Sequence, residues 1–155
     1  MKDTPLIFWV ISGKNAFQAF FMFFLIFSGA TMASGQVAAK QPLYAVLPSW
    51  GVVGFGIALI LGGLTNLISV YWPGKASSGI LLESWSAMLL TMSCFAFCLL
   101  VLATPLALKF ADAPSIVALC GLLGLASLGR WFQCRKAIRE VAQFKMALAV
   151  LHRDD

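Results

Sequence analysis

The chain has 155 residues, 61% of them hydrophobic and only 11% charged, with a mean hydropathy of +0.91. Too few polar side chains exist to cover a soluble surface, so composition excludes a soluble monomer and points to a membrane-embedded chain of about one domain. The net charge of +5 does not imply nucleic acid, because six of the eleven basic residues lie from Arg130 onwards, where they flank an apolar run instead of building a binding face.

The first fifteen residues are mixed. Leu6 to Ile11 is too short to span and reads as an interfacial anchor with Trp9 at headgroup depth. The first span follows, about residues 16–39, dense in phenylalanine and longer than the ~30 Å hydrocarbon core at ~1.5 Å per residue. The small residues from Ala30 to Gly35 also resemble a signal-peptide cleavage zone, but the n-region before the apolar run is long for one, so a retained span is expected. The second span covers about 45–72, the third about 80–108 after a turn at Pro73, Gly74 and Lys75, and the fourth about 115–132. The expected architecture is all-α: a four-transmembrane-helix bundle over residues 1–133, followed by a basic, amphipathic cytoplasmic tail over 134–155.

Orientation follows from the loops. Lys2, Lys14, Lys75 and the six C-terminal cations fall on one side, Lys40 and Lys109 on the other, so the positive-inside rule places both termini in the cytoplasm of a bacterial inner membrane. In the tail, Ala137, Val141, Phe144, Leu148 and Leu151 recur at helical spacing, giving a helix that continues from the fourth span, with Arg130, Arg135, Lys136, Arg139 and Lys145 as a basic anchor.

Charges at membrane depth are costly and call for partners. Asn66, Glu83 and Arg130 all fall toward the cytoplasmic end of their spans, which predicts a Glu83–Arg130 ion pair with Asn66 beside it; Lys75 and Arg135 are alternative partners. As a staple the pair fixes helix register; as a functional group it would gate an ion or proton path. Gly51, Gly54, Gly56, Gly62 and Gly63 make the second span the expected central helix, and Gly121 and Gly124 do the same service in the fourth, since small residues allow the close backbone approach that drives association in lipid.

No metal or cofactor is expected. Cys94 and Cys98 share a face but lack a third soft ligand nearby, and the one histidine, His152, lies in the tail. No H-E-x-x-H, G-x-S-x-G or Walker A pattern occurs, so no catalytic residues are expected and an enzyme is not.

The run G-G-L-T-N-L-I-S-V-Y-W from Gly62 to Trp72, the short turn, then G-I-L-L-E-S-W-S-A-M-L-L from Gly79 to Leu90, resembles small four-span membrane proteins encoded by actinobacterial phages. The resemblance extends to the segment from Gly129 to Arg139 and rests on Gly62, Gly63, Trp72, Glu83, Arg130, Trp131 and Arg135. Ser84, Trp85 and Ser86 stand where an Arg-x-Gly would be expected after the glutamate. It implies a holin-like or lysis-accessory protein: a self-associating, pore-forming oligomer whose partners are the bilayer and its own copies. The alternatives are an accessory, immunity or superinfection-exclusion subunit of a membrane complex, and a small channel or transporter using Glu83.

Overall fold

A computed structural model describes residues 16–36, 41–71 and 76–151, with side chains from Ala19 to Gln143 outside the gaps. The N-terminal anchor around Trp9, the turn at Pro73 to Lys75, and the side chains of Phe144, Lys145, Leu148 and Leu151 lie outside what is described.

The described chain is helical, and its breaks fall where proline or glycine dictates. Helix α1 spans Ala16–Ala33 and ends in a turn at Gly35, whose φ of 74° suits a residue without Cβ. A single helical turn, α2, occupies Pro42–Val46 with proline in its first turn. Pro48 then caps α3, Ser49–Val70, its carbonyl accepting from the Gly51 and Val52 amides. The second span is therefore not one helix from 45 to 72: Pro48 splits it. Helix α4 runs Ala76–Ala103 and stops two residues before Pro105; a 3-10 turn at Ala107–Lys109 leads to α5, which runs unbroken from Ala113 to Leu151. Pro105 ends the third span's helix short of residue 108, because a residue preceding proline is pushed out of the helical region. Pro114 sits in the first turn of α5, where its missing N–H costs nothing.

Three helices are long and apolar enough to cross a membrane, over Ser49–Val70, Ser78–Ala103 and Ala113–Gln143, and a shorter apolar helix covers Ala19–Ala33. Large apolar side chains cover the outside, among them Phe20, Phe27, Leu99, Leu119 and Leu122, each more than 60% exposed. Such a surface suits lipid and not water. The chain is a multi-pass membrane protein.

The long helices pack in series. α1 lies on α3, α3 on α4 and α4 on α5, and no other pair of them makes more than marginal contact among the described residues. Two helices are thus interior, α3 and α4, where sequence reasoning expected one. Only 11% of the apolar stretch of α5 is buried, against 44% for α3 and α4, so α5 forms an open edge. The core sits between successive helices: Leu59, Leu90, Cys94 and Val101 are nearly inaccessible, and Phe97 stacks on Phe55 at 4.2 Å between ring centroids. A shallow apolar groove of about 480 Å³ opens sideways between α3 and α4, lined by Trp50, Gly54, Ala58, Ala96 and Ala103 among others.

Candidate functional site

The glycines of α3 serve two faces. Gly56 meets Gly29 of α1 backbone to backbone: a Cβ on Gly56 would lie 2.7 Å from the Gly29 carbonyl oxygen, and one on Gly29 would lie 2.5 Å from that of Gly56. Gly63, two turns along, faces Met22 and Ile26 of the same helix. On the other side, Gly51 receives Leu100 and Gly62 receives Leu90, both from α4. Without these glycines the helices could not approach closely enough for dispersion to replace the hydrophobic drive that lipid removes. Gly124 of α5 lies against Cys94 and Phe95, whereas Gly54 and Gly121 face nothing within 4 Å and make no intramolecular contact of this kind. Gly29 was not singled out in the sequence, although the small residues Ser28, Gly29 and Ala30 directly after the phenylalanine run were a usable signal.

The same approach exposes backbone carbonyls to neighbouring hydroxyls. Ser86 Oγ donates to Gly62 O at 2.8 Å, across the α3–α4 interface. Thr91 Oγ1 donates to Ala87 O in its own helix and, at 3.4 Å, to Gly124 O of α5. Cys98 Sγ donates to Val117 O at 3.5 Å. These bonds fix an antiparallel register for each pair, and none of these three residues was read as polar glue from the sequence.

That register gathers the polar groups at one end. The Ser86–Gly62 bond sets Asn66, one turn beyond Gly62, level with Glu83. Asn66, Ser69, Glu83, Ser84, Ser86 and Ser127 are all buried. Glu83 receives Arg130: Nε donates to Oε1 at 2.8 Å, and Arg130 Nη1 donates to Gln133 Oε1 at 3.2 Å. The Glu83 side chain is 5% exposed and that of Arg130 36%, so the carboxylate is sealed within the array while the guanidinium reaches its rim. Among the described residues no buried side-chain polar atom lacks a partner. Such a layer rigidifies register, and it leaves no polar atom calling for a ligand.

The proposed alternative partners divide. Arg135 does not join the pair: its guanidinium carbon lies 5.2 Å from the centre of the Trp131 ring. Lys75 is outside the described residues. Lys136 pairs with Glu140 at 3.9 Å, both well exposed, and Arg139 is exposed. The four cysteines, Cys94, Cys98, Cys120 and Cys134, are free and buried, and no group of three metal-ligating side chains occurs among the described residues.

Depth can be read along α4. Glu83 stands twenty residues from Ala103, about 30 Å of helix, the thickness of a hydrocarbon core. The ion pair therefore lies toward one end of the apolar stretch of α4 and not at its middle. No family model, curated protein or solved structure matches the chain.

Proposed function

We propose that the protein is a non-enzymatic inner-membrane component that works by associating with further copies in the plane of the bilayer, as a holin-like, membrane-permeabilising oligomer. One observation carries this: the helices form an open series with two unlike edges. The outer face of α1 presents Phe20, Phe23, Phe24 and Phe27, all more than half exposed, opposite the face that carries Gly29. The outer face of α5 presents Leu122 and Leu125 with the small residues Ala118 and Gly129, opposite the face against α4. Unlike edges meet head to tail, and heterologous contacts of that kind generate rings where the rotation closes and open chains where it does not. Bulky α1 side chains against the smaller α5 face would continue the alternation of helix directions already present within one copy. Arg130, Arg135, Lys136 and Arg139 cluster at one end, so the positive-inside rule favours a cytoplasmic C-terminus.

A second reading, an accessory subunit of a larger membrane complex, is favoured by a different feature. The hydroxyls of Thr65, Ser69, Ser86, Thr91, Ser93 and Thr104 all bond to backbone carbonyls, and the large exposed side chains of α3 and α4 are apolar. Such faces line water poorly and suit lipid or another helix. Transport through Glu83 draws less support, because its carboxylate is sealed within the array and paired with Arg130.

Induced expression with a potential-sensitive dye, together with cross-linking, separates the readings. Abrupt depolarisation accompanied by a ladder of cross-linked copies is expected. Harmless high-level expression would sink the permeabilising reading, and a second protein recovered in fixed ratio would replace it with the accessory one.

A further inference from the structure

Immediately beyond the Glu83–Arg130 pair, one flank of α5 carries aromatics and cations in sequence. Trp131 and Phe132 pack edge to face at 4.9 Å between centroids, and Phe132 is 59% exposed. Arg135 and Arg139 follow at four-residue spacing from Trp131, which stacks all three along one side of the helix. Trp131, two turns on from Gly124, borders the α4 contact and is half-buried, while Arg135 and Arg139 are exposed on the flank beside it.

Charge accounting singles out these two arginines. In the described part of this end, Glu83 is engaged by Arg130 and Glu140 by Lys136. Arg135 and Arg139 have no carboxylate partner among the described residues. Their direction matters as much as their charge. Side chains on a helix lean toward its N-terminus, and the N-terminus of α5 lies across the apolar slab, so both arginines lean back toward the bilayer. Arg135 shows this, its guanidinium folded over Trp131. With Arg130 at the hydrocarbon boundary, Arg135 and Arg139 stand roughly 7 and 13 Å further out along the axis, a distance long side chains shorten. That spans the headgroup layer, about 5–8 Å deep on each side, and stays within reach of its charge across one Debye length.

We infer that Arg135 and Arg139, above the Trp131–Phe132 pair, form a binding site for the phosphate of an anionic phospholipid. The planar, multi-donor guanidinium suits phosphate oxygens, and the aromatics below suit the glycerol and upper acyl region. The site requires only that the chain be inserted, and it is independent of whether copies permeabilise the membrane or serve a complex.

The test uses the full chain reconstituted in phosphatidylcholine vesicles carrying a trace of spin-labelled phosphatidylglycerol or spin-labelled phosphatidylcholine. The fraction of motionally restricted label measures preference at the protein surface. The wild-type protein should favour phosphatidylglycerol by at least about twofold, and R135Q/R139Q should reduce that ratio to about one. R135K/R139K, which keeps charge and fold, should retain part of the preference and lose it in high salt. A ratio near one for the wild type, or an unchanged ratio in R135Q/R139Q, would overturn the assignment. So would a preference abolished by inorganic phosphate, since the site would then belong to a soluble anion.

Discussion

Glu83 and Arg130 show how a single buried charge organises its surroundings. The carboxylate is almost wholly removed from solvent, and the guanidinium keeps about a third of its surface. Removing the cation alone takes away the ion pair of a buried carboxylate, so R130M should destabilise by about 2 kcal/mol, between values typical of exposed and buried pairs. E83Q/R130M should recover part of that loss, because no charge remains uncompensated. Unfolding in mixed micelles measures the cycle, and additive losses would show that the two side chains are not coupled. The glycines divide just as sharply. G56A forces a Cβ to within 2.7 Å of a carbonyl on α1, so the helix must move; about 1–3 kcal/mol should be lost. G121A meets open space within the protomer and should be neutral or stabilise by up to about 1 kcal/mol. Melting curves of the two variants in the same detergent should therefore fall on opposite sides of, or one well below, the wild type.

At the scale of elements, α5 differs from the rest. Its 39 residues extend about 58 Å, nearly twice an apolar core. From the register at Glu83–Arg130, the seven residues of α4 that precede Glu83 accompany α5 to about residue 137. Deleting residues 144–155 should thus leave the melting temperature of the membrane portion within about 2 °C while the helical circular dichroism signal falls. A large drop in melting temperature would mean that the tail braces the array. Element existence was legible in the sequence, because long apolar runs separated by Pro48, Pro73 and Pro105 permit little else. The ion pair was legible too, since so few charges interrupt those runs that Glu83 and Arg130 had scarcely any rivals. Helix faces were not. In water, apolar periodicity separates the inside from the outside, but a lipid-facing position is as apolar as a buried one. Leu100, which packs on Gly51, and Leu99, which is 67% exposed, carry the same side chain. Gly54 and Gly56 likewise look alike in the sequence, and only one of them touches another helix.

For the whole molecule, the arrangement of helices in a row leaves α1 and α5 each with a side that no other described helix covers. If these sides meet between copies, a cysteine at position 27 of one copy should cross-link to a cysteine at position 122 of another. F27C/L122C is suited to the experiment because the four native cysteines are buried. Oxidation of the double variant in native membranes should yield multimers, and each single variant should yield at most dimers. Multimers from neither, with the protein correctly inserted, would remove the edge-to-edge model.

Packing in a row also bears on how the molecule is made. Every long helix rests on the one that precedes it in the chain, so a newly inserted segment finds its partner already in the bilayer. Among the described helices no closing contact has to wait for the C-terminus, and the loop entropy lost at each step is that of a short connection. Synthesis order and assembly order can therefore be the same, with α3 zipping onto α1 through Gly29 and Gly56, then α4 onto α3, then α5 onto α4. Arg130, synthesised 47 residues after Glu83, arrives last and neutralises the carboxylate.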